Sequence, residues 1–167
     1  MKILILSDSH GHHELVRAAI GREAPIDLLI HAGDVEGDLE RILGPAREYG
    51  IRAVAGNMDW SDSLESELCF PLGDHHTVYL THGHRLGVHG SRKKLREKAQ
   101  KCGADIAIFG HIHMPVYEEE DGITVINPGS IAKPRQEGWK KSYAVMTLDD
   151  DGNMKVRFKS LPRMPFF

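Results

Sequence analysis

The chain has 167 residues, 41% hydrophobic and 27% charged, a balance suited to an ordinary soluble core and unlike a disordered or fibrous chain. Its net charge of −3 gives no general field favouring nucleic acid or anionic membrane. The apolar runs are of strand length, far short of the ~20 residues a membrane helix needs. Met1-Lys2 leads straight into the first run, which predicts a cytoplasmic chain with no signal peptide.

Ile3-Leu4-Ile5-Leu6 is continuous rather than alternating, as suits a strand buried on both faces, and it ends in Ser7-Asp8-Ser9-His10. Beyond Glu14, residues Leu15, Val16, Ala19 and Ile20 share one helical face, with Pro25 marking the end. Leu28-Leu29-Ile30 predicts a second buried strand, delivering His31-Ala32-Gly33-Asp34. Leu39, Ile42, Leu43 and Ala46 have helical spacing, which Gly44-Pro45 breaks into two short pieces. Ile51–Ala55 predicts a third strand, ending in Gly56-Asn57-Met58-Asp59. Three strand–helix units in succession predict parallel pairing.

Residues 60–74 read as an irregular loop with a short strand near Leu68–Phe70. Thr77–Leu80 predicts a strand ending in Thr81-His82-Gly83-His84. Ser91 can cap a helix with Leu95, Ala99 and Cys102 on one face and Gly103 at its stop. Ile106–Phe109 ends in Gly110-His111-Ile112-His113. From there only hairpins are predicted: Val116–Glu119 with Ile123–Ile126, and Tyr143–Leu148 with Lys155–Lys159. Leu161–Phe167 reads as a trailing tail. No repeat or linker divides the chain, so residues 1–167 are expected to form a single domain. Cys69 and Cys102 lack CxxC spacing and read as reduced thiols, with one disulfide as the alternative.

The chain holds eleven histidines, several in tight groups, and His is the commonest side-chain metal ligand. Five strand ends carry metal-capable residues: Asp8 and His10, Asp34, Asn57, His82, and His111 with His113. Taken singly, Asp34 reads as a turn or cap residue, Asn57 as a turn residue and His82 as a lone polar residue. Taken together, the same coincidence recurs at five consecutive strand ends. If the sheets bring these ends together, seven ligands meet. That is too many for one Zn²⁺ and suits two ions sharing a carboxylate, spaced ~3.5–4 Å, as in phosphoryl transfer.

These motifs, Asp8-Ser9-His10, Gly33-Asp34, Gly56-Asn57-Met58-Asp59, His82-Gly83-His84 and Gly110-His111-Ile112-His113, resemble in order the five motifs of the calcineurin-like metallophosphoesterases. The short length and Asn127-Pro128-Gly129-Ser130 look most like the small YfcE-type phosphodiesterase branch, and the resemblance runs from Lys2 to about Leu148. It implies an α/β fold, a four-layer αββα sandwich of two mixed sheets. By the family pattern Asp8, His10 and His113 would hold one ion and Asn57, His82 and His111 a second, with Asp34 bridging. A water or hydroxide between the ions would attack phosphorus in line. Mixed N/O ligation admits Mn²⁺, Ni²⁺, Co²⁺, Fe or Zn²⁺, with Mn²⁺ placed first.

Many members read Gly-Asn-His-Asp in the third motif, and that His assists the leaving group. Here Met58 takes its place and cannot donate a proton. Two routes remain: stabilisation of the leaving oxygen by the second ion, or proton donation by His84. Asn57 and His84 are therefore the candidate catalytic residues, and His10, Asn57 and His84 the candidates for contact with substrate. The implied partner is a small phosphodiester, with no membrane, no nucleic acid, and self-association as a homo-oligomer left open.

The helix after Ser91 carries Arg92, Lys93, Lys94, Arg96, Lys98 and Lys101, read as a solvated face rather than a polyanion track. Trp60, on the loop 59–66, is placed either in the substrate cleft or in packing. His75, His76 and His89 read as surface residues, and Glu118–Asp121 as an exposed hairpin tip. The main rival is a non-catalytic scaffold: one retromer subunit has this fold with a degraded metal site. All seven positions here hold competent ligands, which favours an enzyme. A nuclease or phosphomonoesterase on the same site is the second rival, and no nucleic-acid module or basic stripe supports a nuclease.

Overall fold

The first apolar run forms β1 (Lys2–Leu6), and its side chains divide between two cores. Ile3 and Ile5 join Ile30, Val78, Leu80, Ile106 and Ile126, whereas Leu4 and Leu6 join Leu15, Val16, Ala19 and Leu29. Strand side chains alternate between faces, so burial on both sides demands an apolar residue at every position. All four are fully buried, each worth about 1.5–3 kcal/mol. The structure is a computed structural model, and it describes residues 1–60 and 63–162. Ser61 and Asp62 of the predicted loop, and 163–167 of the predicted tail, lie outside the described residues.

The first sheet has the order β10-β9-β1-β2-β3. Here β2 is Leu28–His31, β3 Gly50–Ala53, β9 Ser142–Leu148 and β10 Met154–Ser160. β1, β2 and β3 run parallel, linked by α1 (His13–Glu23) and α2 (Leu39–Leu43), while β9 and β10 are antiparallel. The second sheet has the order β4-β5-β6-β8-β7. Its strands are β4 (Glu67–Leu72), β5 (His76–Thr81), β6 (Ile106–Ile108), β7 (Pro115–Glu120) and β8 (Ile123–Pro128). β5, β6 and β8 are parallel, and α3 (Lys93–Lys101) connects β5 to β6.

One apolar cluster lies between the sheets. α1 covers the outer face of the first sheet, and α3 covers the second by packing Leu95 and Ala99 on Tyr79, Ala107, Phe109 and Val125. The layers are therefore α, β, β, α, as expected.

Four details depart from the sequence reading. The helical piece expected after Gly44 is absent, and residues 44–49 form bends. β4 extends over Glu67–Leu72 and includes Pro71. It is an edge strand, where a residue without an N–H costs no ladder bond on the open side. Cys102 lies at the exposed end of α3 and is bonded to Cys69 of β4, their Cα atoms 6.5 Å apart, so the two cysteines form a disulfide and are not free thiols. The acidic hairpin tip is exposed as expected but also paired: Glu118 with Arg92 and Arg96, Glu120 with Arg96, while Glu67 of β4 pairs with Lys98. Half of the basic residues around α3 are thereby matched within the fold.

Candidate metal centre

Parallel β1 and β2 deliver their ends side by side, and their loops go on pairing beyond the strands. Asp8 N donates to Gly33 O (3.0 Å), His10 N to Asp34 O (2.9 Å) and Gly11 N to Val35 O (3.0 Å). In these loops Asp8, His10, Asp34 and Glu36 have φ of 54°, 45°, 55° and 52°. His111 and His113, after β6, have 68° and 60°. Left-handed backbone is uncommon for residues with a Cβ, and costs about 1–3 kcal/mol each where the surroundings impose it.

The loops also approach too closely for larger residues. A Cβ on Gly110 would meet Ser7 Oγ at 2.0 Å and Ala32 O at 2.8 Å, and one on Gly56 would meet Asp34 Oδ1 at 2.1 Å.

The ligand-capable atoms of Asp8, His10, Asp34 and His113 all lie within 4.8 Å of one another. Asp8 Oδ1 is 3.0 Å from His113 Nε2, 4.0 Å from His10 Nε2 and 3.9 Å from His82 Nε2. Asp34 Oδ2 is 3.8 Å from His10 Nε2 and 3.3 Å from His82 Nε2. Asn57 Oδ1 faces His82 Nε2 at 3.1 Å. The His111 ring stands 5.2 Å from that of His82. The His84 ring stands 5.5 Å from His82 and 6.2 Å from His111. All seven sequence-predicted ligands and His84 are thus gathered at one edge.

The outer nitrogens show what this cluster is built to receive. His10 Nδ1 faces Glu36 Oε1 at 2.5 Å, His82 Nδ1 faces Ala32 O at 2.7 Å, and His113 Nδ1 faces Lys133 O at 2.6 Å. Each partner can only accept, so each Nδ1 carries a proton, and in the neutral ring Nε2 is a bare lone pair. His10 Nε2 and His113 Nε2 then face each other at 3.4 Å. Asp8 Oδ1 is buried among these nitrogens without a hydrogen-bond partner. Converging lone pairs repel unless a cation lies among them, and buried polar atoms are rarely left unpaired. The residues fit divalent metal.

The electrostatics agree. Burial pushes Asp8 up, but His113, His82 and Ser7 outweigh it and hold its pKa below the usual range. Burial opposes ionisation of Asp34 too, yet His82 and the Met58 amide bring it to about 2. His111 is pushed down to about 4 by burial and by His82 and His89, which keeps it neutral. His82 is raised: burial lowers it, and Asp34 and Asp8 overcome that. A proton there answers the same negative charge that a metal ion would.

A second group of residues holds the first in place. Asp8 Oδ2 accepts from Ser7 Oγ (2.5 Å) and His111 N (3.1 Å), which turns Oδ1 inward. Ser130 Oγ donates to Asp8 O (2.8 Å), and Asn127 Nδ2 to Gly110 O (2.7 Å). Asp59 accepts from Glu36 N (2.7 Å) and Gly56 N (2.8 Å). Buried His31 contacts Ser9 Oγ at 3.0 Å and is held at about 4 chiefly by desolvation.

Glu36 and His31 were not singled out in sequence. Glu36 stands two residues after Asp34, the same spacing as Asp8 and His10, and that repeat was the available signal. Of the residues read as surface, His89 is exposed and lies 4.9 Å from the His111 ring, whereas His76 is half-buried and held by Asp105 Oδ2 (2.6 Å) and Gly152 O (2.7 Å).

Residues 1–151 match the family model described as the calcineurin-like phosphoesterase superfamily domain. A Bacillus subtilis protein named probable metallophosphoesterase YsnB is 39% identical over 160 residues, covering 95% of this chain and 90% of that one. A phosphodiesterase of Methanocaldococcus jannaschii is 32% identical over 150 residues, covering 77% and 83%. Among solved structures, a Streptococcus pneumoniae protein described as a predicted phosphoesterase superposes with a TM-score of 0.82 at 35% identity, over 95% of this chain and 88% of that one. A cation-demanding cluster on this fold, and relatives of this kind along nearly its whole length, lead to one assignment: the chain belongs to the calcineurin-like phosphoesterase superfamily and is a metal-dependent phosphoesterase.

Proposed function

We propose that the protein is a dinuclear metal-dependent phosphodiesterase, a single-domain cytoplasmic enzyme acting on small phosphodiesters rather than on nucleic acid or membranes. The observation that carries the reading is the position of Asp34 Oδ2 between His10 Nε2 and His82 Nε2. That is where a carboxylate shared by two ions would stand, with Asp8, His10 and His113 on one side and Asn57, His82 and His111 on the other. Divalent ions, Mn²⁺ first among them, would supply positive charge for the phosphoryl oxygens and acidify the attacking water.

The chain's own residues hold and orient. Glu36, Ala32 O and Lys133 O keep the Nδ1 protons of His10, His82 and His113, so these rings present Nε2 to the centre. Asn57, exposed beside His82, offers its carboxamide to both ion and substrate. His84 is half-buried with Nδ1 unpartnered, at hand to orient a phosphoryl oxygen. Met58 supports the centre through its backbone, its N–H donating to Asp34 Oδ1 at 2.8 Å. The preference for diesters is supported by the name of the Methanocaldococcus relative. The exposed Cys69–Cys102 bond lies outside the three core clusters, so a reducing cytoplasm would leave the packing of the core unchanged.

The test is a panel of mono- and diesters offered to metal-stripped protein reloaded with single metals. Diesters with good leaving groups should be cleaved faster than the corresponding monoesters, and Mn²⁺ should restore activity best. A strong monoesterase with negligible diesterase activity overturns the reading.

A further inference from the structure

Beside the metal centre lies a cavity of about 540 Å³, within the size range of small-molecule sites. Its wall is continuous with the centre. Glu36, which holds His10, lines it, as does Met58, whose N–H holds Asp34. Asp59 completes this wall by tying Glu36 N to Gly56 N. Trp60 and Leu64 form the rest of the apolar lining, and Asp38 adds a third carboxylate.

Trp60 is 93% exposed and Met58 39%, whereas most large apolar side chains of this fold are buried. An indole standing in water next to a reaction centre offers a flat face, and aromatic rings and nucleobases of any sequence stack on such faces. The carboxylates decide the charge of the occupant. Asp59 accepts from two backbone amides, and Asp38 Oδ1 accepts from Arg41 N at 3.2 Å, so both are fixed in place on the cavity wall. A further phosphate there would meet three carboxylates and no Lys or Arg among the described lining residues, while an uncharged hydroxyl-bearing group would find acceptors.

We propose that this cavity receives one ester group of the diester, and that the group is a flat, uncharged aromatic of the nucleoside class, stacked on Trp60. The proposal rests on the phosphodiesterase reading and narrows its substrate: the only phosphate is the one at the metal centre. Nucleoside esters of a monophosphate diester are accepted, and nucleoside polyphosphates are disfavoured.

The experiment has two arms. In the first, Trp139→Phe leaves Trp60 as the sole tryptophan, and its fluorescence is titrated without added metal. Adenosine should quench it saturably, adenosine 5′-diphosphate should bind at least about tenfold more weakly, and glycerol should have no effect. In the second, the metal-loaded enzyme hydrolyses the nitrophenyl diester of thymidine 5′-phosphate. Trp60→Ala should raise KM about tenfold with kcat within about twofold, and Trp60→Phe should restore most of the loss. Equal binding of adenosine and its diphosphate overturns the proposal. So does diester hydrolysis with no adenosine quenching and an unchanged KM in Trp60→Ala, and that result leaves the phosphodiesterase reading intact. Saturable adenosine quenching with no diester hydrolysis under any metal supports the aromatic site and removes the phosphodiesterase reading instead.

Discussion

Glu36 Oε1 stands 2.5 Å from His10 Nδ1, and so a carboxylate that is not itself aimed at the metal centre decides which nitrogen of His10 is bare. The contact fixes the ring plane and makes Nε2 a better donor, and such outer carboxylates commonly govern 10–100-fold in metal affinity. Glu36→Ala should therefore weaken metal binding about 10–100-fold by calorimetry. Glu36→Gln should fall between, since it keeps a hydrogen bond but loses the charge. Unchanged affinity in Glu36→Ala would show that His10 needs no such support.

Asp34 touches both halves of the centre through a single oxygen, Oδ2. Elemental analysis of the loaded protein should approach two ions per chain. Asp34→Asn should lose much of the binding of both together, because one carboxylate serves both. Retention of two ions and full activity in Asp34→Asn would remove the bridge.

His84 must be separated from a general acid by its leaving-group dependence. Burial lowers its pKa, and His82 and Arg85 add to that, so the ring is neutral near pH 7 and short of a proton to give. His84→Ala should then slow alkyl and nitrophenyl diesters alike. A much larger loss on alkyl esters, whose alkoxide needs protonation, would instead make His84 the acid, an effect typically worth 10²–10⁴-fold.

At the opposite end of the sheets His76 faces an acceptor from each nitrogen, Asp105 Oδ2 and Gly152 O. Both nitrogens must donate, which requires the cationic ring. Burial would lower its pKa, but Gly152 and Asp105 together raise it above the usual 6.5. A raised folded-state pKa contributes stability that is fully present below 6.5 and is lost as pH rises through the folded value. The bond joins β5 of one sheet to the β9–β10 turn of the other, so its loss is felt in global unfolding. Stabilities of wild type and His76→Gln from denaturant titration should differ most at pH 5.5, by about 1 kcal/mol, and converge as pH rises through the raised folded value. A gap independent of pH would show that the ring acts only by packing.

Most of the strands, and the candidate ligands that the structure gathers at one edge, were legible in the sequence alone. An unbroken run such as Ile3–Leu6 suits a strand with core on both sides, and five strand ends carry Asp, Asn or His. Those are local facts, written in consecutive residues. Local pattern was less reliable where neighbours decide: Gly44-Pro45 ended α2 outright, and Pro71 was accepted into a strand because that strand is an edge.

The rest depended on which distant segments meet. Glu36 reaches His10 because β1 and β2 are adjacent and in register, Leu6 opposite His31. Lys133 O reaches His113 because Ser130 ties the chain after β8 to Asp8. The Cys69–Cys102 bond and the His76 clasp likewise join residues 33 and 76 positions apart from their partners. Hydrogen-bond geometry of this kind is set by strand order and register, which spacing along the chain does not encode. The candidate ligands were therefore legible in the chain itself, while the groups that set their tautomers and aim were decided only when the two sheets closed on one another.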